Sequence, residues 1–208
     1  MDGISLEVLS GKLSSISEEM QLVILKSAHS RMVNEACDAT SALLDKDGRN
    51  ISQAVSIPIH LGCLTVMGDL FSKEFSEGKA KPGDCYILND PYSGGTHLPD
   101  IAVATPSFLG NKLIGYATVM IHHQDIGGVL PGSASVYAHD LYSEGLRLPL
   151  VKIIDAGKII ANGDGRQEDP IFISDNTGGG FISWRSYAND PVYGELYAQY
   201  IDSDGNTQ

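Results

Sequence analysis

The stretch Asn89-Asp90-Pro91-Tyr92-Ser93-Gly94-Gly95-Thr96-His97-Leu98-Pro99-Asp100 constrains this chain more than any other. Two prolines, a Gly-Gly pair and Asn, Asp and Ser at turn positions make it a loop rather than a helix or strand. Strand-like runs flank it, Cys-Tyr-Ile-Leu at 85–88 and Ile-Ala-Val-Ala-Thr at 101–105. A second polar knot, His122-His123-Gln124-Asp125-Ile126-Gly127-Gly128, closes the next apolar run, 113–121. The spacing therefore places imidazoles and carboxylates on loops at strand ends, the setting a divalent first-row metal needs.

His97 and Asp100 lie three residues apart, and His122 heads the second knot. Two imidazoles and one carboxylate leave coordination positions open, as in catalytic zinc, iron or manganese sites. Taken alone, a His-x-x-Asp pair is a weak signal, since a lone histidine near a strand end is more often a hydrogen-bonded structural group than a ligand. The second cluster and the glycines raise the odds. Adjacent residues of extended backbone point to opposite sides, so His123 falls to an outer or substrate-facing role. Asp125 and Asp90 are further carboxylates able to orient an imidazole, although Asn-Asp-Pro is also ordinary turn chemistry. His60 and His139 are weaker candidates, and at least one is expected to be structural.

Other chemistries lack their motifs. There is no GxxxxGK[ST] phosphate loop and no G-x-S-x-G nucleophile elbow,. Asp45-x-Asp47-Gly48 lacks the later carboxylates and closing Glu of a calcium loop, so it reads as the turn of a hairpin spanning 41–55,. The net charge of −12 disfavours a nucleic-acid or anionic-membrane surface, which needs clustered Lys and Arg,. Cys37, Cys63 and Cys85 are widely spaced and form no CxxC, as expected of buried free thiols in a reducing compartment,. With no basic-then-apolar leader and no run long enough to span a bilayer, the expected location is cytoplasmic.

The clearest helix covers 5–27, with Ser5 as its cap and an apolar stripe at Leu6, Leu9, Leu13, Ile16, Met20 and Val23,. That stripe is expected to pack on the core, a partner helix being the alternative. A second helical spacing runs through Leu64, Met67, Leu70, Phe71 and Phe75, and 151–154 reads as a strand. After about residue 162 the texture changes to Gly-rich turns, including Gly178-Gly179-Gly180, and aromatic-polar alternation. The expected fold is α+β: an N-terminal helix on a mixed sheet, with the metal site on strand-end loops. Two segments are expected, a domain over 1–161 and a divergent Gly/Tyr-rich tail over 162–208, truncated at an unfinished turn at 202–206.

Together these motifs resemble the hydantoinase B/oxoprolinase family. The resemblance rests on Asn89-Asp-Pro-Tyr-x-Gly-Gly-Thr-His-Leu-Pro-Asp100 and His122-His-x-Asp-Ile-Gly-Gly128. Ala42-Leu-Leu-Asp45, Ile57-Pro-x-His-Leu-Gly62, Pro131-Gly-Ser133 and Glu144-Gly-Leu-Arg-x-Pro149 support it, and the match runs from about residue 4 to about residue 160. It implies a metal on His97, Asp100 and His122; the mixed nitrogen-oxygen donor set points to zinc, manganese or iron, and the neighbouring His123 and Asp125 are the catalytic candidates read from the residues themselves. It further implies a partner of the hydantoinase A type, with an actin-like nucleotide site that binds ATP and activates a carbonyl oxygen. The implied function is the metal-binding subunit of an ATP-dependent hydrolase opening a hydantoin, oxoproline or lactam ring. Two alternatives stay open: a subunit of an acetone- or acetophenone-type carboxylase, and a non-catalytic assembly module. Members of the family run several hundred residues longer, and the segment after about 162 departs from their pattern.

Overall fold

The computed structural model describes residues 2–75, 79–132, 135–159, 167–174, 180–186 and 195–201; for Leu61 and from residue 158 onward it describes the backbone only. Helix α1 spans Gly3–Ser27 and α2 spans Arg31–Asn34. Strands β1 (Ala39–Asp45) and β2 (Asn50–Gln53) form the hairpin expected around the Asp-Gly turn. Asp45 Oδ1 accepts the backbone N–H groups of Asp47 and Arg49 at 2.9 and 2.8 Å, which fixes the turn and satisfies the carboxylate without calcium.

Helix α3 (Ile59–Phe75) crosses to β3 (Cys85–Leu88), and the long hairpin β4 (Asp100–Leu109)–β5 (Lys112–His122) follows. After α4 (Leu141–Glu144), strands β6 (Val151–Asp155) and β7 (Lys158–Ile159) complete a seven-stranded sheet in the order β2-β1-β5-β4-β3-β6-β7. Every pairing is antiparallel. The α+β class therefore holds, with an antiparallel sheet where mixed pairing was expected. The chain joins neighbouring strands by short turns or returns from the far side, so no parallel neighbours arise. Strands β8 (Gln167–Ser174), β9 (Gly180–Ser186) and β10 (Glu195–Ile201) pair among themselves as a three-stranded sheet. The expected boundary at 161/162, Gly178, Gly179 and the turn at 202–206 lie outside the described residues.

The core lies between α3 and one face of the large sheet. Leu64, Met67, Phe71 and Phe75 recur at three and four residues and pack on Leu44, Tyr86, Leu88, Ala104, Tyr116 and Met120,. The Phe75 ring sits 4.1 Å from that of Tyr86 and 5.7 Å from that of Tyr116. Burial drives the Tyr116 hydroxyl up to about 12, so it stays neutral throughout the working range,.

Helix α1 lies against β1 and β2, but not as its stripe implied. Its two buried residues are Ser17 and Gln21. Ser17 Oγ lies 2.9 Å from Ser52 Oγ, Ser41 donates to the Ser17 carbonyl, and Gln21 Nε2 donates to the Val55 carbonyl at 2.8 Å. Ser41 alternates along β1 with Ala42 and Leu44, which face α3, so α1 covers the opposite face. Most of the apolar stripe looks outward: Leu6, Leu9, Ile16 and Val23 are exposed, while Leu13 and Met20 are half-buried. The cap also differs, since Asp2 rather than Ser5 begins the helix by accepting from the Ser5 N–H at 2.7 Å. Of the three free thiols, Cys63 is buried, Cys85 is half-buried and Cys37 is exposed, where all three were expected inside. No helix among the described residues is long and apolar enough to cross a membrane.

Candidate metal centre

The sheet register brings the site together. Asp100, the first residue of β4, pairs directly with His122, the last of β5. On the other side of β5, the His122 N–H donates to the Asp38 carbonyl, just before β1. Three adjacent strands thus end on Asp38, His122 and Asp100. His97 reaches the same point through a tight turn in which the Asp100 N–H donates to the His97 carbonyl at 3.1 Å. His60 enters from the first turn of α3.

The loop before β4 is held by residues of its own motif. Asn89 is wholly buried, and its Nδ2 donates to the carbonyls of Leu98 and Leu146, each at 2.8 Å. Its Oδ1 accepts the Leu148 N–H at 2.6 Å. Asp90 accepts from the Tyr92 N–H, the Ser93 hydroxyl and, at 2.7 Å, Arg147 Nη2. Gly94 has φ +104°, and a Cβ there would stand 3.0 Å from the backbone N of Met67. Strain at such a position costs on the order of 2 kcal/mol. Gly94→Ala should therefore lower the unfolding free energy by about that amount; an unchanged midpoint in urea would refute the close approach of loop and α3.

Within the cluster, Asp100 Oδ1 lies 2.9 Å from His122 Nδ1 and 3.1 Å from His97 Nε2. The two histidine nitrogens are 3.2 Å apart. Three donor atoms at these mutual distances match the separation of ligands around one small ion, whose bonds are about 2.0–2.2 Å long. The other oxygen, Asp100 Oδ2, accepts from the Thr96 hydroxyl and stands 3.4 Å from His60 Nε2. His60 Nε2 is also 3.6 Å from Asp38 Oδ1, and Asp38 Oδ2 is 3.8 Å from His122 Nδ1. Asp38, His60 and Asp100 thus form a second group with donor atoms close enough to share an ion. Asp38 Oδ1 is buried and accepts no hydrogen bond. A buried carboxylate oxygen that stands beside the His60 imidazole without a hydrogen bond is expensive unless a cation is present, and the nitrogen-oxygen donor set suits zinc, manganese or iron,. The residues fit such an ion.

The electrostatics agree. Burial works to raise the Asp100 carboxyl, but hydrogen bonds from His60, His97, Thr96 and His122 outweigh it and hold the group far below the usual carboxylate range,. The hydrogen bond to Asp100 raises His97, against the opposing effect of burial. In the metal-free protein a protonated His97 therefore contributes stability fully present below about pH 6.5 and lost as pH rises through its raised value. Depressed Asp100 contributes above about pH 4, and that contribution fades only in strong acid. A metal needs His97 deprotonated. The rise in melting temperature on adding zinc should therefore grow between about pH 6 and pH 8. A rise equal at both values, in paired melts of chelator-treated protein, would remove His97 from the site.

Among the remaining candidates, His123 is exposed beside the cluster, its backbone N–H donating to the Pro99 carbonyl at 2.8 Å. Partial desolvation, then the neighbouring His122, lowers its pKa and favours the neutral ring. Asp125 is exposed, and its two oxygens accept the N–H groups of Gly127 and Gly132 at 2.8 and 3.2 Å. It shapes the following loop and stands in neither ligand group. Asp90 belongs to the loop and Arg147 rather than to the cluster. His139 is exposed and also outside both groups, whereas His60, weighed equally with it from sequence, is almost wholly buried inside one. Asp38 went unnoticed: it stands alone in the sequence, and only the pairing of β1 with β5 brings it to His122. A cavity lined by Phe75, Pro82, Phe108 and Leu113 lies near the turn of the β4–β5 hairpin and shares no residue with this cluster.

An antiparallel sheet thus carries a histidine-carboxylate cluster at the ends of three central strands, and sequence comparison says to which family such a chain belongs. The sequence model of the hydantoinase B/oxoprolinase family matches residues 2–168, and the chain belongs to that family. It is 39% identical over 158 residues to 5-oxoprolinase of Saccharomyces cerevisiae, a match covering 76% of this chain and 12% of that one. It is 34% identical over 175 residues to the caprolactamase subunit beta of Pseudomonas jessenii, covering 82% of this chain and 28% of that one. The fold also matches a nucleotide-free acetone carboxylase, with a TM-score of 0.71 at 22% identity over 76% of this chain and 21% of the other. The chain thus spans less than a third of the length of these relatives.

Proposed function

We propose that this chain is the metal-carrying part of an ATP-dependent cyclic-amide hydrolase, opening a hydantoin, oxoproline or lactam ring in the cytoplasm. The observation that supports it most is the convergence of His97, Asp100 and His122, with Asp38 reaching His122 through Oδ2 and His60 through Oδ1, the oxygen that accepts no hydrogen bond. His97, Asp100, His122 and Asp38 would hold a divalent zinc, manganese or iron ion, and His60 would fix the angle of both carboxylates. When bound, the ion supplies Lewis acidity for attack on an activated carbonyl carbon. The site-bearing unit is residues 1–161, with 162–208 as a separate tail.

His123 is assigned to the substrate. It is exposed at the rim, favours its neutral form and is thereby able to accept a proton from an incoming water or pass one to the leaving nitrogen,. Asp125, through Gly127 and Gly132, keeps the adjoining loop open around it. The chain carries no phosphate loop of the GxxxxGK[ST] type, so ATP is assigned to a hydantoinase A-type partner in a hetero-oligomer. The names of the relatives, one a hydrolase subunit called beta and one an oxoprolinase, support this division.

The decisive mixture is purified chain, an A-type partner, ATP and a panel of hydantoin, oxoproline and lactam. Ring opening with substrate-stimulated ATP hydrolysis is expected, and absence of both across the panel refutes the reading. The fold shared with acetone carboxylase favours one alternative, a ketone carboxylase subunit. Bicarbonate-dependent ATP turnover with acetone or acetophenone, and none with the cyclic amides, would establish that alternative instead.

A further inference from the structure

Helix α1 presents an apolar seam that the described structure covers only in part: Leu13 and Met20 are half-buried and the other four positions are exposed. Leu6, Leu9, Leu13, Ile16, Met20 and Val23 follow one another at steps of three, four, three, four and three, the a/d spacing of a two-helix contact. Leu6, Leu9, Ile16 and Val23 are 58%, 43%, 45% and 61% exposed. The face turned to the sheet is polar, with Ser17 and Gln21 hydrogen-bonded to the β2 region. Packing within the chain therefore explains the polar side of this helix and the half-buried Leu13 and Met20, and leaves the exposed Leu6, Leu9, Ile16 and Val23 without a role.

We infer that this seam pairs with the same seam of a second copy of the chain, antiparallel and about a twofold axis. The stripe is centred between Leu13 and Ile16, close to the middle of the helix Gly3–Ser27. An antiparallel mate in full overlap sets Leu6 against the partner's Val23, Leu9 against the partner's Met20 and Leu13 against the partner's Ile16. Each contact recurs on the other side of the axis, as a self-complementary interface requires.

The flanking charges select the same register. Lys12 and Glu19 occupy the position just before the a residues Leu13 and Met20, and both are exposed. Among the described residues neither has a salt-bridge partner within its own chain. Antiparallel pairing brings Lys12 beside the partner's Glu19, and Glu19 beside the partner's Lys12. A parallel pairing sets each seam position against its own copy and gives these two charges no such match.

The seam is about 26 Å long at 1.5 Å per residue and about one helix wide, roughly 10 Å. That is small beside the roughly 800 Å² per partner of a standard interface, so the dimer forms and dissociates with concentration.

Sedimentation velocity of the full 208-residue chain, over roughly 1 to 100 μM, reads the equilibrium directly. Monomer at the low end and dimer at the high end are expected. Ile16→Glu should leave only monomer, with helix content by circular dichroism unchanged. The surface variants Lys12→Glu and Glu19→Lys place like charges together twice per dimer, and each should weaken association about tenfold. Combining them should restore the parental value. A monomer at every concentration, a dimer that survives Ile16→Glu, or a double variant no better than the singles would overturn the pairing. The monomer result would mean that the seam is reserved for a different polypeptide.

Discussion

His97→Ala should purify with almost no bound transition metal, while the parent carries about one ion per chain and His139→Ala matches the parent. His97 offers Nε2 at 3.1 Å from Asp100 and 3.2 Å from His122, so its loss removes one of three converging donors. Loss of one such ligand commonly lowers affinity by orders of magnitude, because the others cannot complete the shell. His139 is exposed and outside both ligand groups, which makes it the matched control. Elemental analysis after dialysis decides the matter. Metal absent from the parent, or undiminished in His97→Ala, would reduce the cluster to a hydrogen-bonded knot and end the catalytic reading. Asp38→Asn separates the roles further: it should weaken retention less than His97→Ala, because the amide keeps one oxygen donor and loses only the charge.

Asn89→Ala should cost about 4 kcal/mol and take the metal with it. The side chain is wholly buried and makes three hydrogen bonds, to the carbonyls of Leu98 and Leu146 and from the N–H of Leu148. Truncation leaves those three backbone groups in a dry interior, each at about 1–3 kcal/mol less whatever water recovers. The affected carbonyl of Leu98 adjoins His97, so the turn that aims His97 at Asp100 loosens as well. Urea denaturation with and without zinc measures both effects. A loss below about 1 kcal/mol would show that the loop is held by its glycines and Asp90 instead.

The site was legible in sequence to the extent that its ligands share short loops. His97 and Asp100 sit in one turn, and His122 ends a strand that a simple hairpin returns to Asp100. Asp38 and His60 were not legible as partners, because register between β1 and β5 and the docking of α3 bring them in from distant positions. Asp125 and Asp90 show the opposite error. A carboxylate among glycines looks like a ligand, yet loop N–H groups hold Asp125, and the Tyr92 N–H, the Ser93 hydroxyl and Arg147 hold Asp90,. For α1, periodicity identified an apolar face correctly and could not say what would meet it. The serines and glutamine on the other face found hydrogen bonds across β1 and β2, and these decided the orientation.

The cluster draws on residues 38, 60, 97, 100 and 122, one from almost every element of the large sheet's centre. Only His97 and Asp100 are close in sequence; the others meet after long loops have closed, which is slow and entropically unfavourable. The centre therefore cannot exist in a half-made chain. A cut between Asp38 and His97 would keep His97, Asp100 and His122 in one fragment but remove β1 from beside them, and that fragment is expected to hold an ion less tightly than the whole chain. Capture of an ion by this cluster would therefore be a late event in folding, its onset timing the moment when the three central strands lock into register.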